Sequence, residues 1–240
     1  MNGVYEEDLA WVHHAGFSAF ARRAAPGVIA MLRKHGVANG FVIDAGCGSG
    51  FLSNALAGAG YEVLGIDISP AMIALAKECW SGGRLARRGS GEKAGGRGRP
   101  PLHFEIASLA DPLPRADAVI AMGEIVNYLT DLAPVVAQLD TRLFIFDAAE
   151  VHVPHDSQWA GDAWSVQVAR DFDPATRLLT RRMTIFRGER RSRATHVQRL
   201  YTSEELQLML RAAGFRVSVR RSYGTVHLPP AHHVYVCTRT

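Results

Sequence analysis

The chain has 240 residues, 48% of them hydrophobic and 21% charged, with a net charge of +4. That is ordinary for a globular domain with a full core. It excludes a fibrous or disordered chain, and no apolar stretch approaches a membrane span. Three cysteines, Cys47, Cys79 and Cys237, lie far apart and fit neither a metal site nor a disulfide framework. The N-terminal MNGVYEEDLA has neither the basic start nor the apolar run of a signal peptide. A reduced, cytoplasmic protein is expected, with no metal and no membrane partner.

In chain order, Asp8 to His35 reads as one or two helices. Leu9, Val12, His13, Gly16, Phe17 and Phe20 recur at helical spacing, and Pro26 is expected to open the second helix. Gly40–Asp44 is a buried strand, Phe51–Ala59 a helix and Tyr61–Asp67 a second strand. Ser69 and Pro70 are start signals for the next helix. Gly82–Pro101 holds six Arg/Lys, one Glu and seven Gly. Its plain reading is a solvated loop, which argues against a nucleic-acid partner.

Leu102–Ala107 and Ala116–Met122 read as the third and fourth strands, Ile125–Leu139 as helix broken at Pro134, and Thr141–Ala149 as the fifth strand. Strands alternating with helices mean a largely parallel sheet covered on both faces. From Ala163 to Tyr201 the helix signal stops. Three strands there, joined by turns, make an antiparallel ribbon. Thr202 and Glu205 form a capping-box pattern with Gly214 as the stop. The segments RVSVRRS and HHVYVCT supply the last strands.

The chemistry concentrates in VIDAGCGSG (Val42–Gly50) and in Asp67, 17 residues after Gly50. Glycines after a first strand let the backbone turn tightly beside a ligand. An acid ending the second strand suits ribose hydroxyls. The spacing is DxGxGxG, from Asp44 to Gly50, so the last glycine comes one residue early for the dinucleotide pattern GxGxxG. An acid before the glycines repels a pyrophosphate but suits an ammonium group. Ribose plus an amino-acid tail describes S-adenosylmethionine.

At these residues the chain resembles the class I S-adenosylmethionine-dependent methyltransferases. VIDAGCGSG and LGIDISPAMIALA are similar to the family's first two motifs. FEIASLADPLPRADAVIAMGEIVNYL is similar to its third and fourth, and YTSEELQLMLRAAGF to its late helix. The resemblance implies an α/β, Rossmann-like seven-stranded sheet with its last strand antiparallel, plus the inserted ribbon. It implies one methyltransferase domain over residues 1–240, with a helical cover at 1–38, the basic loop at 82–101 and a ribbon lid at 155–201. Asp44, Gly46, Cys47, Gly48 and Gly50 would then line the methionine end. Asp67 would hold the ribose, Ile68 and Met72 would flank the adenine, Ser108 and Leu109 would read its edge, and Met122 would also contact the cofactor. Cys47 itself reads as a small packed residue.

The acceptor has no strong motif, since methyl transfer mainly needs alignment and proton removal. The place after the fourth strand reads MGEIVNYL, without the Pro-Pro-aromatic cluster of base amino-methylation. No cysteine follows a proline, and the acids do not reproduce a metal-assisted pattern. A small-molecule N or O acceptor remains. Its candidate contacts are Tyr5, Asn127, Tyr128, Arg199 and Tyr201, the last two sharing one face of a strand. Glu124 and His13 are the candidate catalytic groups, although Glu124 could equally cap a helix and His13 could equally be a core histidine. His196 falls on the face opposite Arg199, and His227, His232 and His233 receive no role. Two other readings stay open: an RNA methyltransferase docking through the basic loop, and a non-catalytic cofactor-binding protein of the same fold.

Overall fold

The computed structural model describes residues 5–80, 100–151 and 155–239. The basic stretch expected as a loop falls, over 82–99, outside the described residues. The helices are α1 (Glu7–Lys34), α2 (Phe51–Gly58), α3 (Pro70–Trp80), α4 (Ala133–Gln138) and α5 (Ser203–Ala212). The first five strands are β1 (Phe41–Ala45), β2 (Glu62–Asp67), β3 (Leu102–Ile106), β4 (Ala116–Ala121) and β5 (Thr141–Ala149). The ribbon is β6 (Ser157–Gly161), β7 (Trp164–Asp173), β8 (Leu178–Arg187) and β9 (Arg190–Arg199). After it come β10 (Phe215–Arg220), β11 (Ser222–Tyr223), β12 (Val226–His227) and β13 (His232–Arg239).

Seven strands form one sheet in the order β10-β13-β5-β4-β1-β2-β3. β1 pairs in parallel with β2 and β4, and β13 runs antiparallel to both β5 and β10. This is the expected α/β class, with the antiparallel strand last in sequence. Strand order reverses between β1 and β4, so a crevice opens beyond their carboxyl ends, where ligands of such sheets bind. The β1, β4 and β5 interiors are almost wholly apolar because both faces are covered.

Two helix expectations need correction. α1 is continuous through Pro26, which therefore opens no second helix. An interior proline loses one backbone bond, but Ala24, Ala25, Val28 and Leu32 around it are buried against the main sheet. That burial on both sides of the kink position outweighs the lost bond. The segment expected as helix from Ile125 is a short 3-10 turn, Ile125–Tyr128, followed by α4. Pro134 lies in the first turn of α4, where its missing N–H costs nothing, so the break falls before it.

The ribbon is a four-stranded antiparallel sheet, β6-β7-β8-β9. β6, a strand the sequence pattern missed, is short and mostly exposed, so it carries no alternating apolar signal. On β7 to β9 the buried positions alternate, giving one inner face with Val166, Val168, Met183, Ile185, His196 and Gln198. Leu9 and Val12 of α1 pack on that face. One helix thus joins the ribbon at its N-terminal end to the main sheet at its C-terminal end. No helix among the described residues is long and apolar enough to cross a membrane.

Asn127 ties the 3-10 turn to the sheet and the ribbon. Its Nδ2 donates to the carbonyls of Ala149 (2.9 Å) and Arg199 (2.7 Å), and its Oδ1 accepts from Ala149 N–H (2.9 Å). The side chain is fully buried. Asn127→Ala is expected to lower unfolding free energy by about 2–4 kcal/mol, because buried backbone groups lose their partners. Denaturant unfolding of the two forms checks it.

Candidate functional site

The turn after β1 runs through Gly46, Gly48 and Gly50, all in the left-handed region with φ 69, 53 and 82. Only glycine takes that region without strain. A Cβ on Gly46 would lie 2.2 Å from Ile125 Cδ1, and one on Gly50 2.7 Å from Phe104 Cζ. At Gly48 a Cβ would meet only Met72 Sδ, at 3.9 Å, so the backbone there faces open space. The packing roles and the open cradle are therefore divided among the three.

Asp67 closes β2 beside this cradle. Its Oδ2 accepts from Gly48 N–H (2.9 Å) and its Oδ1 from Ser69 N–H (2.8 Å). Each oxygen keeps acceptor capacity for a hydroxyl. Burial raises its pKa, and the two backbone bonds pull it back. Asp44 is buried at the end of β1, with Ser53 Oγ donating to its Oδ2. Burial pushes its pKa up to about 6, against the Ser53 bonds, and the Asp67 charge adds to the rise. Two carboxylates close together and partly desolvated attract hydroxyls and a cation.

These groups form one wall of a cavity of about 530 Å³. Tyr5, His13 and Phe17, with Val166, Val168 and Met183 of the ribbon, also line it. Glu124 is among the lining residues. It has φ 61, a rare conformation for a residue with a side chain. Asp147 holds it there by accepting from the Gly123 (2.8 Å) and Glu124 (2.9 Å) amides, while Tyr223 Oη donates to Asp147 at 2.7 Å.

The Glu124 carboxylate accepts from Gln198 Nε2 at 3.1 Å and from both terminal nitrogens of Arg181 at 3.4 Å. His232 Nε2 lies 3.0 Å from its other oxygen, and His232 Nδ1 lies 2.8 Å from the Pro230 carbonyl. Burial would raise the Glu124 pKa. The His232 bond, the Arg181 charge and Gln198 outweigh it and hold Glu124 at about 2. For His232 burial lowers the pKa, but the Glu124 bond and charge raise it on balance. An acceptor at each ring nitrogen favours the protonated form of His232.

Of the residues singled out in the sequence, Asp44, Gly46, Cys47, Gly48, Asp67 and Met72 line this cavity together. So do Met122, Glu124, Tyr128, Tyr5 and His13. The Cys47 thiol is buried and pushed far up in pKa, first by burial and then by Asp44, so it is packed and inert. His13 stacks on Phe17 and meets Tyr5 edge-on. Burial, with His14 adding, lowers its pKa to about 4. An imidazole this hard to protonate is a weaker base than the ordinary value suggests. Tyr128 Oη lies 3.0 Å from His196 Nδ1.

Other candidates lie elsewhere. Gly50 caps α2 outside the lining, and Ile68 is 57% exposed. Leu109 belongs to the core, and Ser108 uses its polar atoms within its own turn, with Asp111 and Ala110. Neither side chain reaches the cavity. Asn127 is the buried tie described above, not an acceptor contact. Arg199 and Tyr201 do share a face, but it is the one away from the cavity. Arg199 donates to the Thr130 carbonyl, and Tyr201 Oη to that of Leu129. The inner face carries His196 and Gln198 instead, because alternation fixes the pairing of residues but not which side looks inward. Arg170, Arg181, Asp147 and His232 were missed. Arginine at an inward position of β7 and β8 is the signal that existed for two of them.

Residues 42–143 match the family described as "Methyltransferase domain". The magnesium-protoporphyrin O-methyltransferase of Rhodobacter capsulatus is 34% identical over 103 residues, 42% of this chain and 40% of that one. The chain thus matches well under half the length of that curated relative. Among solved structures, a S-adenosylmethionine-dependent methyltransferase from Clostridium acetobutylicum superposes with TM-score 0.76 at 15% identity, over 96% of this chain and 97% of that one. The sugar N-methyltransferase KedS8 from Streptoalloteichus does so with TM-score 0.70 at 19% identity, over 100% and 94%. At such identities the likeness is one of fold.

Proposed function

We propose that this chain, a member of the class I S-adenosylmethionine-dependent methyltransferase family, moves a methyl group from S-adenosylmethionine to a nitrogen or oxygen of a small molecule. One observation carries the reading: a single cavity is lined by two strand-end carboxylates, an open glycine cradle and apolar residues of the ribbon. Its volume, about 530 Å³, lies in the range of small-molecule sites. The cover formed by α1 and the ribbon favours an enclosed acceptor over a base in a nucleic acid.

S-adenosylmethionine supplies an activated methyl group on a sulfonium sulfur. In this chain Asp67 would hold the ribose hydroxyls, the Gly48 backbone would give room for the tail, and Asp44 would face the ammonium. Tyr128 stays a phenol, since burial and the Tyr5 and Glu124 charges push its pKa well up. It lines the cavity, with its hydroxyl 3.0 Å from His196 Nδ1. His13 stays neutral at pH 7 and presents a lone pair that orients an acceptor N–H or O–H.

His13→Phe keeps the stack on Phe17 and removes the lone pair. It is expected to cut kcat roughly tenfold, the scale of one lost orienting hydrogen bond, with cofactor affinity unchanged. Unchanged kcat returns His13 to packing.

Asp44 gives a pH signature. Its carboxyl titrates at about 6 in the free protein, and an ammonium beside it favours the ionised form. Binding below pH 6 therefore releases a proton, so affinity for S-adenosylhomocysteine should rise with pH up to about 6 and then level off. Calorimetry across pH 4.5–8 in buffers of different ionisation enthalpy checks it. Asp44→Asn should flatten the curve.

The experiment that tests the function is a screen of metabolites with methyl-labelled S-adenosylmethionine, read by mass. The expected result is a methylated small molecule with an equal amount of S-adenosylhomocysteine.

A further inference from the structure

On the inner face of the ribbon one row of basic residues crosses three strands. Arg170 of β7 stands directly opposite Arg181 of β8, and Arg181 stands directly opposite His196 of β9. Opposed residues project on the same side of a sheet, and like charges so placed are destabilising. Both arginines line the main cavity. Both also line a neighbouring cavity of about 360 Å³ beside Pro229 and Pro230.

Neither guanidinium is closely paired with a carboxylate: Asp156 accepts from the Arg170 backbone N–H (2.7 Å) rather than from its guanidinium. Glu124 reaches Arg181 only at 3.4 Å and is shared with Gln198 and His232. Arg170 directs its guanidinium at neutral acceptors, the His155 carbonyl (2.6 Å) and Ser157 Oγ (2.5 Å). Among the described residues it forms no ion pair. Its pKa is lowered, first by burial and then by repulsion from Arg181. Two guanidiniums carried at paired positions of neighbouring strands, both lining the same cavity, suit a planar or tetrahedral oxyanion.

We infer that the methyl acceptor carries an anionic group, carboxylate or phosphoryl, that seats between Arg170 and Arg181, with its apolar body against Val166, Val168 and Met183. This rests on reading the cavity as the acceptor site of a methyltransferase. The anion relieves the cross-strand repulsion and fixes which atom of the acceptor faces the cofactor wall.

The test titrates the chain with three probes of one shape: 3-phenylpropionate, 2-phenylethyl phosphate and the neutral 3-phenylpropanamide. Each titration is done with and without saturating S-adenosylhomocysteine. The anionic probes are expected to bind at least about tenfold more tightly than the amide. That preference should vanish in Arg170→Gln and survive in Arg170→Lys, with circular dichroism showing both folded. The tighter of the two anions assigns carboxylate or phosphoryl. An amide that binds as well as the anions overturns the inference, as does a preference that persists in both Arg170→Gln and Arg181→Gln. If S-adenosylhomocysteine fails to bind while the preference holds, the proposed function fails and the anion site stands. If it binds and no preference exists, only the anion site fails.

Discussion

Asp67→Ala is expected to weaken S-adenosylhomocysteine about 10- to 100-fold, the equivalent of about 1.5–3 kcal/mol for hydrogen bonds to a charged group. Asp67 spends one lone pair per oxygen on the Gly48 and Ser69 amides, which fixes the carboxylate in the plane of the cradle. The remaining lone pairs are those a ribose diol would use. Removing the side chain also frees the Gly48 N–H, so the cradle itself loosens. Asp67→Asn keeps one acceptor and the shape, and should fall between. Calorimetry of the three forms measures the loss, and equal affinity of Asp67→Ala and the wild type would show that the ribose lies elsewhere.

Glu124→Ala is expected to cost both stability and turnover. Glu124 is 25% exposed and compensates Arg181 and His232, which are 20% and 15% exposed. Truncation removes the carboxylate that pairs with both Arg181 and His232, a loss of about 2–4 kcal/mol. The pH dependence is specific. Glu124 is held at about 2 against an ordinary 4.5, so its contribution is complete above 4.5 and is lost as pH falls through 2. His232 is raised above 6.5, so its contribution is complete below 6.5 and is lost as pH rises through its folded value. The stability gap between wild type and Glu124→Ala should therefore be widest between pH 4.5 and 6.5 and narrow on both sides. Urea unfolding at a series of pH values tests this. A gap independent of pH would mean that Glu124 acts by packing alone.

The half of the site built by local rules was legible in the sequence. The glycine turn, Asp44 and Asp67 follow one another within a single strand–helix–strand unit, and each has a reason to be the residue it is. α1 was legible as a helix, but its continuity through Pro26 depends on the sheet it packs against, which no window of sequence contains. The 3-10 turn at Ile125–Tyr128 is set by Asn127 and Asp147, whose partners lie 22 to 72 residues away. The acceptor half was read on the wrong face. Arg199 and Tyr201 were paired correctly by alternation, yet the choice of inward side depends on how α1 covers the ribbon. In sequence Arg170 and Arg181 look like two of many solvated arginines. Only the register of β7 with β8 shows them facing each other. His232, at the start of β13, meets Glu124 over a separation of 108 residues.

The most direct test follows a labelled methyl group. The protein is incubated with methyl-labelled S-adenosylmethionine and a cell extract divided into small-molecule and RNA fractions. The account predicts label in an anionic small molecule, with S-adenosylhomocysteine formed in equal amount, and loss of that transfer in Asp67→Ala. Label confined to the RNA fraction, or transfer undiminished in Asp67→Ala, would contradict it.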